Sequence, residues 1–215
     1  MDDEVFGCGG TLALHADAGA RIVVIFLTSG RYNAGISTDA QAELVAARRA
    51  EAGRAGAVLG VGEHHVIHGR GNRLESDAAA AAQLRAILAS VNPSVVYLPS
   101  MLERHPDHRA TADLLARALA DSDMRFECRA YEVWTPLVPN RVVAIDRSLE
   151  RKRAAIQCYA SQADHTDFAH IVLSLNAYRS SIAGDTACRH AEAFLALPLH
   201  RYLAMHRDFR ATVAP

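Results

Sequence analysis

Residues 95–110 read VVYLPSMLERHPDHRA, and this stretch carries the main indication of the fold. The apolar run from Ser94 to Pro99 is typical of a buried strand, and a short loop separates it from a helix that begins near Pro106. A strand, a loop and a helix in this order form the unit from which open α/β sheets are built, and ligands bind beyond the carboxyl ends of their strands. The stretch therefore predicts an α/β fold and a functional edge next to residues 100–108.

The same alternation of strands and helices continues in both directions along the chain. The β-branched run RIVVIFLTS at 21–29 predicts a second strand, buried on both faces as in a parallel sheet. We expect a Rossmann-like, mostly parallel α/β sheet with helices on both faces. We also expect a single domain over 1–215, with a less regular, substrate-facing part at about 125–215. The predicted helices cover about 5–19, 37–59, 76–90, 106–120, 148–160 and 168–181. Further strands are predicted at about 64–68, 127–135 and 141–146.

Composition narrows the classes of partner. The chain has 23 Lys and Arg against 24 Asp and Glu, and no basic stripe, so we expect neither nucleic acid nor an anionic membrane as a partner. Its longest apolar runs are far shorter than the roughly 20 residues of a membrane span. The four cysteines are widely spaced and form no C-x-x-C pair, which favours a reduced, cytoplasmic setting.

The histidines at the start of the predicted helix are candidates for chemistry. His105 and His108 stand three residues apart and share a helix face, and Asp107 between them can orient a histidine and fix its tautomer. A helix start that happens to be rich in histidine is the competing interpretation, because Pro106 and Asp107 also suit a first turn. The pattern favours a metal or catalytic role.

A second cluster, Asp2-Asp3-Glu4, also precedes a predicted helix. Alone, it is best interpreted as helix capping with solvated charge. If both clusters meet at one edge of a sheet, they supply the parts of metal-assisted hydrolysis. One carboxylate and one histidine bind zinc, a second carboxylate takes a proton from water, and a second histidine stabilises the oxyanion or protonates the leaving group.

Two motifs resemble those of a known family. DDEVFGCGGTLAL at 2–14 and HPDH at 105–108 are similar to the motifs of the PIG-L / LmbE-like zinc-dependent N-acetylglucosaminyl deacetylases. Other stretches extend the resemblance over nearly the whole chain: LTSG at 27–30, Arg48-x-x-Glu51, YEVWTPLVPN at 131–140, SQ at 161–162 and AEAF at 191–194.

The resemblance implies a role for each motif residue. Asp2 matches the general base, and Asp3 and His108 match two of the three protein ligands of Zn²⁺. His105 matches the residue that stabilises the tetrahedral intermediate, and Asp107 matches its orienting partner. The third ligand, a histidine, would lie one residue before Met1. We therefore expect that the native chain starts upstream, that its first central strand is missing here, and that the chain as written is poorly stable and weakly active.

The resemblance also implies a reaction, the zinc-dependent hydrolysis of the N-acetyl group of an N-acetylglucosamine-type sugar or conjugate, which releases acetate and a free amine. Two alternatives stay open: a non-catalytic glycan-binding relative with an incomplete zinc site, and an amidase acting on a thiol-sugar conjugate. Formation of a homo-oligomer is also open. The candidate substrate-binding residues, each of which could equally serve packing or pairing, are Arg48, Tyr131, Trp134 and Arg179.

Overall fold

The computed structural model describes residues 1–28, 37–67, 74, 77–162 and 167–213. Residues 29–30 of the LTSG stretch and residue 68 of a predicted strand lie outside these ranges. The described helices are α1 (Asp3–Asp17), α2 (Thr38–Leu59), α3 (Ala78–Val91), α4 (Pro106–Ala118), α5 (Leu149–Gln157), α6 (Phe168–Ser180) and α7 (Leu199–Val213). The described strands are β1 (Val23–Phe26), β2 (Glu63–Val66), β3 (Val95–Pro99), β4 (Glu127–Tyr131), β5 (Arg141–Ala144) and β6 (Ala191–Pro198). The prediction of an α/β fold is confirmed.

The chain divides into two compact units. Unit one comprises Met1–Val66 and Val142–Glu192, and unit two comprises Ile67–Arg141 and Ala193–Pro215. The Asp2-Asp3-Glu4 cluster belongs to unit one and the HPDH motif to unit two, so each is described within its own unit.

In unit one, β1 and β2 pair in parallel, from Val23 opposite Glu63 to Phe26 opposite Val66. The prediction that β1 is buried on both faces is wrong, because only Phe26 is buried and the other three residues are half-buried. Local signals define the ends of α2 as predicted. The Ser37 side chain accepts the Ala40 N–H, and Gly60 ends the helix in the left-handed conformation at φ 83°.

The buried helix of unit one is α1, whose central residues from Val5 to Ala13 are all buried. Phe6 stacks on Phe168 with ring centroids 5.2 Å apart and meets Tyr159 edge-on. Gly10 allows a close approach to the segment before α5, since a Cβ atom there would lie 2.9 Å from Cβ of Ile145. These contacts pack the helix that carries the acidic start into the core of unit one.

In unit two, β3 and β4 pair in parallel, from Val95 opposite Glu127 to Pro99 opposite Tyr131. Strand β6 then pairs with β4 in the antiparallel direction, from Glu127 opposite Pro198 to Tyr131 opposite Phe194. The β1-β2 sheet is therefore parallel, whereas β3, β4 and β6 combine one parallel and one antiparallel pair. The apolar segment AEAFLALP forms β6, and α7 follows it directly, a helix that we did not predict from the sequence.

None of the helices in the described ranges combines the length and the apolar character that a membrane span needs.

Candidate active site

In unit two, β3 and β4 end at the same edge of the sheet, and the HPDH motif follows this edge. The N–H of Ser100, directly after β3, donates to the carbonyl of Tyr131 at the end of β4, at 2.8 Å. Helix α4 then starts at Pro106. Ligands of open α/β sheets bind beyond such strand ends, so the motif lies where the sequence predicted a functional edge.

The two histidines of the motif lie side by side. Their ring centroids are 4.9 Å apart, as expected for residues three apart at a helix start. His105 is exposed, and its Nδ1 accepts the backbone N–H of Asp107 at 3.3 Å. In the neutral form of His105 the ring proton therefore lies on Nε2. His108 is buried.

A carboxylate that we did not predict from the sequence contacts His108. Glu103 is 1% exposed, and its Oε2 lies 3.5 Å from Nδ1 of His108. Its other oxygen, Oε1, accepts the backbone N–H groups of Val133, Trp134 and Thr135 at 2.7, 2.9 and 3.0 Å. Burial by itself raises the pKa of Glu103, but the interactions with His108 and with the three N–H groups outweigh this effect and lower the pKa. The only sequence signal was an acidic residue two positions before the motif.

The predicted substrate residues of unit two flank this cluster. Tyr131 is the last residue of β4 and is buried. Trp134 is 39% exposed, and its backbone N–H is one of the three that Glu103 accepts. Asp107, the predicted partner of His105, contacts that ring through its backbone N–H, and an orienting role for its carboxylate stays a prediction.

In unit one, Asp2 occupies the N-cap position of α1, but its side chain makes no capping hydrogen bond. It is 8% exposed, so the interpretation as a solvated cap is wrong for this residue. Burial raises the pKa of Asp2, and the neighbouring charge of Asp3 adds to the rise. The positive charges of the Met1 amine, whose nitrogen lies 3.4 Å from Oδ1 of Asp2, and of Arg48 act in the opposite direction and lower this pKa. Asp3 is half-buried in the first helical turn.

Two predicted substrate residues also belong to unit one. Arg48 on α2 is half-buried and interacts electrostatically with Asp2. One helical turn further on, Glu51 accepts the N–H and the hydroxyl of Ser161 at 2.8 and 2.7 Å. Arg179 on α6 is buried, with its guanidinium 5.5 Å from the ring centroid of Tyr178. Of these two arginines, Arg48 is therefore the one whose charge acts on Asp2.

The pKa of a further acid of α1, Glu4, is also shifted. Its Oε1 accepts the hydroxyl of Tyr159 at 3.2 Å. Burial raises the pKa of Glu4 to about 7, and the charges of Asp2 and Asp3 add to this rise against the opposing Met1 amine. Perturbed acids therefore cluster at the start of α1, as they commonly do at functional sites.

The donor types present suit a zinc ion. Within the described ranges, no group of three or more His, Cys, Asp or Glu side chains is arranged to hold a metal ion. Carboxylate and imidazole are ligands that zinc accepts, and both occur in the predicted pair Asp3 and His108. The contact of His108 with Glu103 uses Nδ1, which is the arrangement expected of a histidine that offers Nε2 to a cation.

Solved structures share this fold. The conserved protein TT1542 from Thermus thermophilus is 24% identical, with 90% of this chain and 89% of that chain covered and a TM-score of 0.75. The N,N′-diacetylchitobiose deacetylase from Pyrococcus horikoshii is 24% identical, with coverages of 91% and 80% and a TM-score of 0.77. GalB, the 4-carboxy-2-hydroxymuconate hydratase from Pseudomonas putida, is 23% identical, with coverages of 91% and 92% and a TM-score of 0.74. At these identities the likeness shows the fold.

A comparison with the curated proteins gives no match for the chain. A comparison of the sequence with protein families does identify a family. The family described as "PIG-L: GlcNAc-PI de-N-acetylase" matches residues 1–119, a range that contains both motifs. The motifs and this match define the class of the protein as a hydrolytic deacetylase. The chain belongs to the PIG-L family. Deacetylases of this family are generally metal-dependent.

Proposed function

We propose that this protein catalyses the Zn²⁺-dependent hydrolysis of the N-acetyl group of an N-acetylglucosamine-type sugar or sugar conjugate. The products are acetate and a free amine. The observation that carries the proposal is Asp2, a buried carboxylate at a helix start that is not used as a cap. It stands in the family's acidic motif next to Asp3, the proposed ligand.

Asp3 and His108 would hold the metal. A bound Zn²⁺ supplies a more acidic water and polarises the amide carbonyl.

Side chains of this protein then accept and donate the protons of the reaction. Asp2 takes the proton of the attacking water as general base. His105, whose Nδ1 accepts the Asp107 N–H, presents Nε2–H as a donor to the developing oxyanion. When the carbon–nitrogen bond breaks, the proton that Asp2 took from water passes to the leaving nitrogen and yields the amine. The cycle consumes one water and returns both side chains to their starting states.

Trp134, Tyr131, Arg48 and Arg179 are the proposed substrate-binding residues. Trp134 is the strongest of them, because its partly exposed ring offers an aromatic face to a sugar and its backbone is held by Glu103. The deacetylase from Pyrococcus horikoshii, with diacetylchitobiose as its named substrate, supports an N-acetylated sugar as the substrate class. We further propose that 1–215 acts as one domain in a reducing, cytoplasmic compartment, which the dispersed cysteines favour.

Acetate release from a panel of N-acetylated sugars tests the proposal. The purified protein is incubated with each sugar, and acetate and free amine are quantified with and without a chelator. We expect equal amounts of both products, loss of turnover with the chelator, and recovery with added Zn²⁺. Because a hydratase shares the fold, the fold does not decide the reaction. Sugar binding without acetate release would overturn the proposal in favour of a glycan-binding protein, and turnover restricted to thiol-sugar conjugates would favour the amidase.

A further inference from the structure

Glu103 makes two kinds of contact with its two carboxylate oxygens. Oε1 accepts three consecutive backbone N–H groups, those of residues 133–135. Oε2 faces Nδ1 of His108 at 3.5 Å, and the side chains of Glu103 and His108 are 0% and 7% exposed. The hydrogen bonds at Oε1 hold the carboxylate in place, so Oε2 keeps a defined position next to the imidazole.

A fixed carboxylate oxygen selects one tautomer of a neighbouring histidine. A carboxylate accepts hydrogen bonds and does not donate them, so it favours the tautomer with the proton on Nδ1. That tautomer carries its lone pair on Nε2, the atom that a neutral imidazole gives to a cation. The pairing of carboxylate, histidine and metal is a common way to raise ligand basicity.

We propose that Glu103 is a positioning residue that holds His108 in the Nδ1–H tautomer and thereby prepares Nε2 as a cation ligand. The inference rests on the proposed function for the identity of the cation, but the tautomer is a property of the metal-free protein. The same carboxylate also holds the backbone of Trp134, so one side chain links the metal ligand to the proposed substrate-binding turn.

The variant Glu103→Gln separates this role from a purely structural one. The glutamine amide oxygen can still accept the N–H groups of residues 133–135, so the turn is retained. The amide NH₂ then faces Nδ1 and donates to it, which moves the imidazole proton to Nε2. We expect the Zn²⁺ affinity to fall by about 10- to 100-fold.

The chain contains a matched control. In unit two, Nε2 of His206 lies 2.7 Å from Oδ1 of Asp113, a second, largely buried pair of imidazole and carboxylate. Asp113→Asn should change the tautomer signal of His206 and leave that of His108 and the Zn²⁺ affinity unchanged.

The test is ¹⁵N NMR of histidine-labelled, metal-free protein, with the His108 signals assigned from their loss in His108→Gln. Zn²⁺ affinity is measured in parallel by competition with a chelator. We expect Nδ1–H in the wild type and Nε2–H in Glu103→Gln. If the variant does not fold, the wild-type spectrum is still decisive, because Nε2–H at His108 would overturn the proposal. An unchanged tautomer or unchanged affinity in folded Glu103→Gln would also overturn it. Absence of acetate release from a zinc-binding wild type would instead refute the proposed function alone.

Discussion

The Nζ atom of Lys152 lies 2.6 Å from Oε1 of Glu192, and both side chains are fully buried in unit one. Glu192 also accepts the N–H groups of Gly10 and Thr11 at 2.8 and 2.7 Å. Lys152 donates a second hydrogen bond, of 2.8 Å, to the carbonyl of Phe6. The ion pair therefore holds the middle of α1, the helix that carries Asp2 and Asp3 at its start.

Replacement of Lys152 by Met should strongly destabilise the protein. The substitution leaves the carboxylate of Glu192 buried without its cation, and removal of one partner of a buried pair costs about 3–5 kcal/mol. The free energy of unfolding from urea titration measures the effect. Arg153→Met is the control, since Arg153 pairs with Glu150 at the surface and its loss should change stability little. Equal unfolding midpoints for Lys152→Met and the wild type would show that the pair contributes nothing.

Replacement of Gly10 by Ala should destabilise the same region by a different route. The new Cβ would lie 2.9 Å from Cβ and Cγ2 of Ile145, and overpacking of this kind costs about 1–3 kcal/mol. Gly53→Ala is the matched control, because its Cβ position in α2 opens onto free space, with no side chain or other segment within 4 Å. There the change should stabilise by about 0.5–1 kcal/mol through helix propensity. Thermal unfolding of both variants should therefore show shifts of opposite sign.

Asp146 should make stability depend on pH in the acidic range. Partial desolvation raises the pKa of Asp146, but hydrogen bonds from the backbone of Arg189 and His190 and from the side chain of Cys188 outweigh it, so the net pKa is lowered. A lowered folded-state pKa stabilises the protein above the unfolded-state pKa, and this stability is lost as the pH falls through the folded-state value. Asp146→Asn should thus be less stable than the wild type near neutral pH.

The difference in stability between the wild type and Asp146→Asn should become smaller in acid. Urea midpoints measured at about pH 7 and again below the usual aspartate pKa of about 3.9 give the comparison. The Nδ1 atom of His190 lies 3.6 Å from Oδ1 of Asp146. A gap of constant size across the whole range would contradict the assignment to the Asp146 charge.

Asp2 and Asp3 should respond differently to substitution. Asp2→Asn keeps the shape of the side chain but removes the proton acceptor, so acetate release should fall by about 10²- to 10⁴-fold while bound zinc is retained. Asp3→Ala removes a proposed ligand, so the protein should lose both zinc and activity. Metal content and acetate release are measured on the same preparations. Asp17→Asn, at the other end of α1, is the control and should change neither, and retained turnover in Asp2→Asn would refute its role as base.

Much of the fold was predictable because its signals are local. The Ser37 cap, the Gly60 helix end and the Asp77 cap depend on backbone groups within a few residues, and each lies where the sequence indicated. The antiparallel position of β6 and the existence of α7 were not predicted. Both depend on packing between distant segments, since β6 pairs with β4 and Tyr202 of α7 is fully buried.

The sequence by itself determined the class of fold, the two motifs and the family, because these follow from residue type and spacing along the chain. Only the tertiary structure decided how the side chains around the motifs are used. It showed that Asp2 is buried and makes no capping hydrogen bond, that Glu103 lies next to His108, and that Glu192 accepts hydrogen bonds from the backbone of α1. A carboxylate acquires such a role from donors far away in sequence, as in the separation of 182 positions between Gly10 and Glu192. No local pattern encodes a contact of that separation, because folding alone brings the two groups within hydrogen-bonding distance.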